Sequence, residues 1–144
     1  GYMAARELVC DYVRHNSRPF IFSASIPPSS CATALAALRY IKAHPELPAR
    51  LLSLSRYARD GLKKRGLRIR ESLTPIIPIY TYQAENTLIK AKELYDAGVY
   101  VNPVLPPATE PTECLLRTSY MATHTEALLD EAMDIIKDVL AAEE

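Results

Sequence analysis

Leu115-Leu116-Arg117-Thr118-Ser119-Tyr120 reads as a strand that carries a single guanidinium inside an apolar run. The segments around it have the same short, β-rich character. Val99-Tyr100-Val101-Asn102 resumes strand character directly after Gly98, and Ile76 to Tyr82 is β-rich throughout. Pro78 lies inside that second run and must sit where no ladder hydrogen bond is needed. Leu67 to Arg70 alternates apolar and basic residues, as a short edge strand does. Helices separate these pieces. Glu85 to Ala97 is expected to turn Leu88, Ala91 and Tyr95 inward and to stop at Gly98. Thr125 to Leu140 sets Leu129, Ala132, Met133, Ile136 and Leu140 on one stripe, with Thr125 as N-cap and Glu126 in the first turn.

Towards the N-terminus the pattern becomes helical. Ala4 to His15 has Leu8, Val9, Tyr12 and Val13 at helical spacing, and Phe20-Ile21-Phe22 reads as a strand or extended link. The Ala-rich stretch Ser29 to Ala43 predicts a deeply buried helix, because small residues allow close approach. Glu46 to Arg65 lines Leu47, Leu51, Leu54, Ala58 and Leu62 on one face, and Gly66 suits the C′ position. The eleven prolines fall mostly between these periodic segments. The order is helix, extended piece, two helices, two strands, helix, two strands, helix. Such mixing predicts a small α/β layer, a short and mainly antiparallel sheet with helices packed on one face. Residues 1–30 look like a leader from an interface region, and residues 31–144 like one compact domain.

Composition removes several classes of function. Seventeen basic residues balance seventeen acidic ones, against the positive excess a nucleic-acid module needs. No apolar run approaches the roughly 20 residues of a membrane span. Cys10, Cys31 and Cys114 are scattered and odd in number, so reduced thiols and a cytoplasmic location are expected. His15, His44 and His124 are equally scattered, and no metal set is readable.

No self-contained catalytic motif is present: the chain has no GxSxG, HExxH, Walker or GxGxxG pattern. The six lysines are all expected on helix surfaces. Two places carry possible chemistry. Hydroxyls cluster at Ser23-Ala24-Ser25-Ile26-Pro27-Pro28-Ser29-Ser30 before a helix, where they serve either to hold a phosphate or simply to cap, with Pro at N1. Arg117 is the second. It is a bidentate clamp for a ligand carboxylate, an outward-facing strand residue, or half of an internal salt bridge. His124 reads as a loop or cap residue rather than a base.

These places lie in motifs that carry a family resemblance. Arg18-Pro19-Phe20-Ile21-Phe22-Ser23-Ala24-Ser25-Ile26-Pro27-Pro28, Thr74-Pro75-Ile76-Ile77-Pro78-Ile79, Gly98-Val99-Tyr100-Val101-Asn102-Pro103-Val104-Leu105-Pro106-Pro107-Ala108 and Leu116-Arg117-Thr118-Ser119-Tyr120-Met121-Ala122-Thr123-His124-Thr125 follow one another in family order. Gly1-Tyr2-Met3-Ala4-Ala5 precedes them, like the stretch after the family's cofactor-binding lysine. The chain resembles the C-terminal part of an α-oxoamine synthase, a pyridoxal-phosphate-dependent enzyme of fold type I. Its wording is nearest to bacterial serine palmitoyltransferases, with 8-amino-7-oxononanoate synthase and 2-amino-3-ketobutyrate CoA ligase as alternatives.

The resemblance implies an acyltransferase that condenses an amino acid with an acyl-CoA and works as a homodimer. It makes Arg117 the binder of the substrate carboxylate and Ser23 the residue that reaches the partner subunit's cofactor phosphate. It assigns no catalytic residue here, because the Schiff-base lysine and the other ring-binding groups belong to the large domain. The chain is therefore expected to be an inactive C-terminal fragment without its own cofactor. A non-catalytic interaction module descended from the family is the other reading, with Arg117 binding an acidic partner.

Overall fold

The computed structural model describes residues 3–141, so Gly1 and Tyr2 of the first motif lie outside the described residues. Backbone contacts divide the chain into two units, residues 1–43 and residues 44–144. This division assigns the Ala-rich helix to the first unit, whereas the expected leader ended at residue 30.

The first unit holds three helices, α1 (Glu7–Asn16), α2 (Arg18–Ile21) and α3 (Pro28–Ala43). Phe20 and Ile21 are helical rather than extended. Pro19 lies in the first turn of α2, where its fixed φ favours a helix and its missing N–H is not needed. The Ser17 carbonyl accepts from the amides of Phe20 and Ile21. The expected deep burial of the Ala-rich helix is also corrected, since no residue of α3 is buried and Leu35, Leu38, Tyr40 and Ile41 are exposed. Small side chains permit close approach, but they do not supply the element that approaches.

The second unit is the predicted α/β layer. Its elements are α4 (Glu46–Lys64), β1 (Ile76–Tyr82), α5 (Ala84–Asp96), β2 (Asn102–Val104), β3 (Cys114–Ser119) and α6 (Glu126–Ala141). The three strands form an antiparallel sheet in the order β1-β3-β2, which puts the Arg117 strand in the centre. Ile77, Ile79, Leu116 and Val101 pack with Leu54, Ala58 and Leu62 of α4, Leu94 of α5, and Leu129, Met133 and Ile136 of α6.

Pro78 explains why the sheet stops at β1. Beyond β1 the Leu67–Arg70 segment makes one isolated bridge, Ile69 to Ile79, with the Arg70 amide donating to the Pro78 carbonyl at 2.9 Å. Pro78 has no N–H to return that bond, so the fourth strand goes no further. Two helix ends behave as their glycines predict. Gly66 (φ 82°) and Gly98 (φ 90°) follow α4 and α5, and Leu67 and Val99 donate back to Leu62 and Leu94. Thr125 caps α6, accepting from the Leu128 amide at 3.2 Å.

The face of α5 differs from expectation. Leu88 and Tyr95 are exposed, whereas Thr87, Lys90 and Leu94 are buried. Thr87 is tolerated because its hydroxyl donates to Gln83 O and meets Thr81 Oγ1 at 2.6 Å. Lys90, only 3% exposed, corrects the placement of every lysine on a surface. Its stem is covered while its ammonium reaches Glu93 at 3.1 Å.

Between α4 and α6, Arg65 binds Asp134 at 2.7 Å and Asp130 at 3.4 Å, and Tyr57 donates to Asp130 at 2.7 Å. The Arg65 hydrogen bond holds the Asp134 carboxyl below its ordinary value. A depressed folded pKa adds stability above the unfolded value of about 3.9, and that stability is lost as pH falls through the folded value. Arg65→Met should therefore be less stable than wild type at neutral pH, with a gap that narrows towards pH 2. Thermal midpoints across that range check it, and a gap independent of pH would contradict it. Among the described residues no helix is long and apolar enough to cross a membrane.

Candidate functional site

The parity of β3 decides which side chains face which way. Cys114, Leu116 and Thr118 turn towards the helices and are buried. Arg117 points to the opposite face and is exposed. Its neighbours across the ladder are Pro78 on β1 and Asn102 on β2. No hydrogen bond or ion pair holds the Arg117 guanidinium among the described residues. The internal salt bridge is thus excluded, and the outward-facing arrangement is what the strand provides.

The segment after β3 is held firmly. Thr118 Oγ1 donates to Ile77 O at 2.8 Å and also meets the Tyr120 hydroxyl at 3.0 Å. Burial pushes the Tyr120 phenol above its usual range. Tyr120 packs edge-on against His124, with ring centroids 6.4 Å apart. Arg50 of α4 donates to the carbonyls of Ala122 and His124 at 2.7 and 3.3 Å, pinning the turn. The Met121 amide donates to His124 Nδ1 at 3.4 Å, which makes His124 the loop residue expected of it. Beside this turn lies an apolar cavity of about 400 Å³, lined by Tyr100, Tyr120, His124, Leu128, Met133 and neighbouring residues. Arg117 lies outside it.

Ser23 lies in the other unit, in the exposed link between α2 and α3. Its hydroxyl donates to Phe20 O at 3.3 Å, a long bond that leaves both lone pairs open. Neither Ser23 nor its neighbours cap α3: the Pro27 carbonyl takes the Ser30 and Cys31 amides, and Pro28 stands at the first helical position. Ser23 borders a concavity with Cys10, Arg14, Ser17 and Phe20. Sequence reasoning missed Asn102, which the register sets beside Arg117. Its parity in Val99-Tyr100-Val101-Asn102 was visible, but its strand partner was not. Among the described residues no cluster of His, Cys, Asp or Glu suits a metal.

A three-stranded antiparallel sheet with helices on one face, and on the other an exposed guanidinium that has no acid partner among the described residues, defines a small α/β domain. The chain belongs to the aminotransferase class I and II family, whose sequence model matches residues 1–136. It is 40% identical over 134 residues to a serine palmitoyltransferase of Bacteroides ovatus, covering 93% of this chain and 34% of the relative. A putative 8-amino-7-oxononanoate synthase 2 of Mycobacterium tuberculosis is 37% identical over 135 residues, covering 94% and 18%. Among solved structures, a serine palmitoyltransferase from S. paucimobilis with bound pyridoxal phosphate and myriocin superposes with a TM-score of 0.79. That pair is 35% identical, with 92% of this chain and 34% of that one covered. The fold is that of the small α/β domain of fold-type-I pyridoxal phosphate enzymes. The chain spans about a third of the length of the serine palmitoyltransferases it matches.

Proposed function

We propose that these residues are the C-terminal part of a pyridoxal-phosphate-dependent acyltransferase that condenses an amino acid with an acyl-CoA, in the manner of a serine palmitoyltransferase. The observation that carries this reading is Arg117. It is an unpaired guanidinium at the centre of the helix-free sheet face, in a chain 40% identical to a serine palmitoyltransferase. In this reading Arg117 grips the α-carboxylate of the amino acid in a bidentate pair. Fixing the carboxylate fixes the remaining bonds of the α-carbon, so the bond to be broken is held in one orientation.

The residues present fit the cofactor in one respect, an exposed hydroxyl whose proton is held only by one long bond and can be redirected to a phosphate. Ser23, whose hydroxyl makes one long contact, would hold that phosphate from across a homodimer interface. Bound pyridoxal phosphate supplies an electron sink for charge developing at the α-carbon. The strands around Arg117 carry no lysine for its covalent attachment. These 144 residues alone are therefore proposed not to turn over substrate. An 8-amino-7-oxononanoate synthase activity is the second reading, favoured by the 37% identity to the Mycobacterium tuberculosis protein.

A substrate-pair screen on the full-length protein tests both. Release of CoA is measured for serine, alanine and glycine, each with long-chain acyl-CoA and pimeloyl-CoA. Turnover with serine and a long-chain thioester supports the first reading, and turnover with alanine and pimeloyl-CoA supports the second. No release with any pair would remove the acyltransferase assignment.

A further inference from the structure

The rung that holds Arg117 contains a second polar group whose role follows from the register. Asn102 is the direct partner of Arg117 across the β2–β3 ladder. Directly opposed residues share a sheet face, with Cβ atoms typically about 5 Å apart. On the other flank stands Pro78, whose ring has no polar atom to offer. The next rung towards the N-terminus of β3 is Tyr80, Leu115 and Val104, and Leu115 and Val104 are apolar. Asn102 is thus the polar neighbour of Arg117 on its own rung.

The Asn102 amide is oriented. Tyr100, two residues earlier in the chain, donates its hydroxyl to Asn102 Oδ1 at 3.2 Å. An amide whose oxygen is already accepting has its NH₂ left to donate. A carboxylate has about four lone-pair sites, and a bidentate guanidinium fills two of them. The residue type matters as well. An aspartate at 102 would neutralise Arg117 within the sheet, whereas a neutral amide leaves the guanidinium free and adds a donor beside it.

We infer that Asn102 is a second substrate-binding residue: its Nδ2, oriented by Tyr100, donates to the same amino-acid carboxylate that Arg117 grips. This rests on the reading of Arg117 as the carboxylate binder. A hydrogen bond to a charged group is worth enough that losing it weakens binding by about tenfold or more.

The test measures KM and kcat for the amino acid in the full-length enzyme, together with the calorimetric Kd of the amino acid, for four variants. Asn102→Ala should raise KM and Kd about tenfold with kcat within about twofold of wild type. Asn102→Asp should be worse, about a hundredfold, because its carboxylate occupies Arg117 and repels the substrate. Tyr100→Phe should raise KM about threefold, because the amide loses its orientation. Unfolding midpoints equal to wild type show that the variants are folded. The inference is overturned if Arg117→Ala weakens binding while Asn102→Ala does not, or if Asn102→Asp is no worse than Asn102→Ala. Unchanged constants in Arg117→Ala itself would bring down the underlying reading of the carboxylate site instead.

Discussion

Arg117→Ala in the full-length protein is expected to raise the KM for the amino acid about a hundredfold while leaving the absorbance of the bound cofactor unchanged. Truncating one side of a desolvated, hydrogen-bonded charge pair costs roughly 2–5 kcal/mol. About 2.7 kcal/mol corresponds to a hundredfold. The effect should be large here because no acid among the described residues pairs with Arg117, so no internal salt bridge offsets its loss. Lysine at 117 should rescue only part of the loss, since an ammonium cannot reproduce the two parallel bonds of a guanidinium. The fold should survive, because the side chain is exposed and the strand is held by its neighbours. Steady-state kinetics with varied amino acid, alongside a cofactor spectrum, decide the matter. An unchanged KM would leave Arg117 as an ordinary outward-facing strand residue.

The second large effect is on stability. Leu116 has no exposed surface, lies on the central strand and belongs to the cluster joining all three helices of the second unit to the sheet. Leu116→Ala removes buried methyl groups and leaves a cavity whose lining is fixed on every side, at a cost of about 3 kcal/mol. Leu115, its neighbour of opposite parity, belongs to no such cluster and should cost less when truncated. Denaturant unfolding of the two variants measures the difference, read as a shift in midpoint at constant slope. Equal losses at 115 and 116 would contradict the assignment of faces.

Particular residues show how far the sequence could be read. The Ile76–Tyr82 strand was legible because β-branched and aromatic residues dominate it, and the structure has those same bounds. Gly66, Gly98 and Thr125 were legible because their roles depend on backbone conformation or on a hydroxyl a few residues away. The inward face of α5 was not. Leu88 and Tyr95 are more apolar than Thr87 and Lys90, yet the buried pair wins because Thr81 and Glu93 stand ready to satisfy it. That information lies on another strand and on the next turn of the helix. The short helix at Arg18–Ile21 misled for a similar reason, since a β-rich triplet yields to a proline placed in a first turn.

At the site, Arg117 stood out as one cation in an apolar run, and its lack of an acid partner is consistent with the open-face reading. Ser23 was visible only as part of a hydroxyl cluster, and its exposed, singly bonded state is a property of the folded link.

What the chain determined alone was local: strand and helix identity, the stops at its glycines, the cap of α6 and the oddity of one arginine. Each depends on side-chain shape or on hydrogen bonds within a few residues. The pairing of Asn102 with Arg117, the choice of helix faces and the missing return bond at Pro78 were decided by tertiary structure. Strand register and face selection are settled by which arrangement buries the most apolar surface while satisfying its polar groups. That is a property of elements brought together from distant parts of the chain.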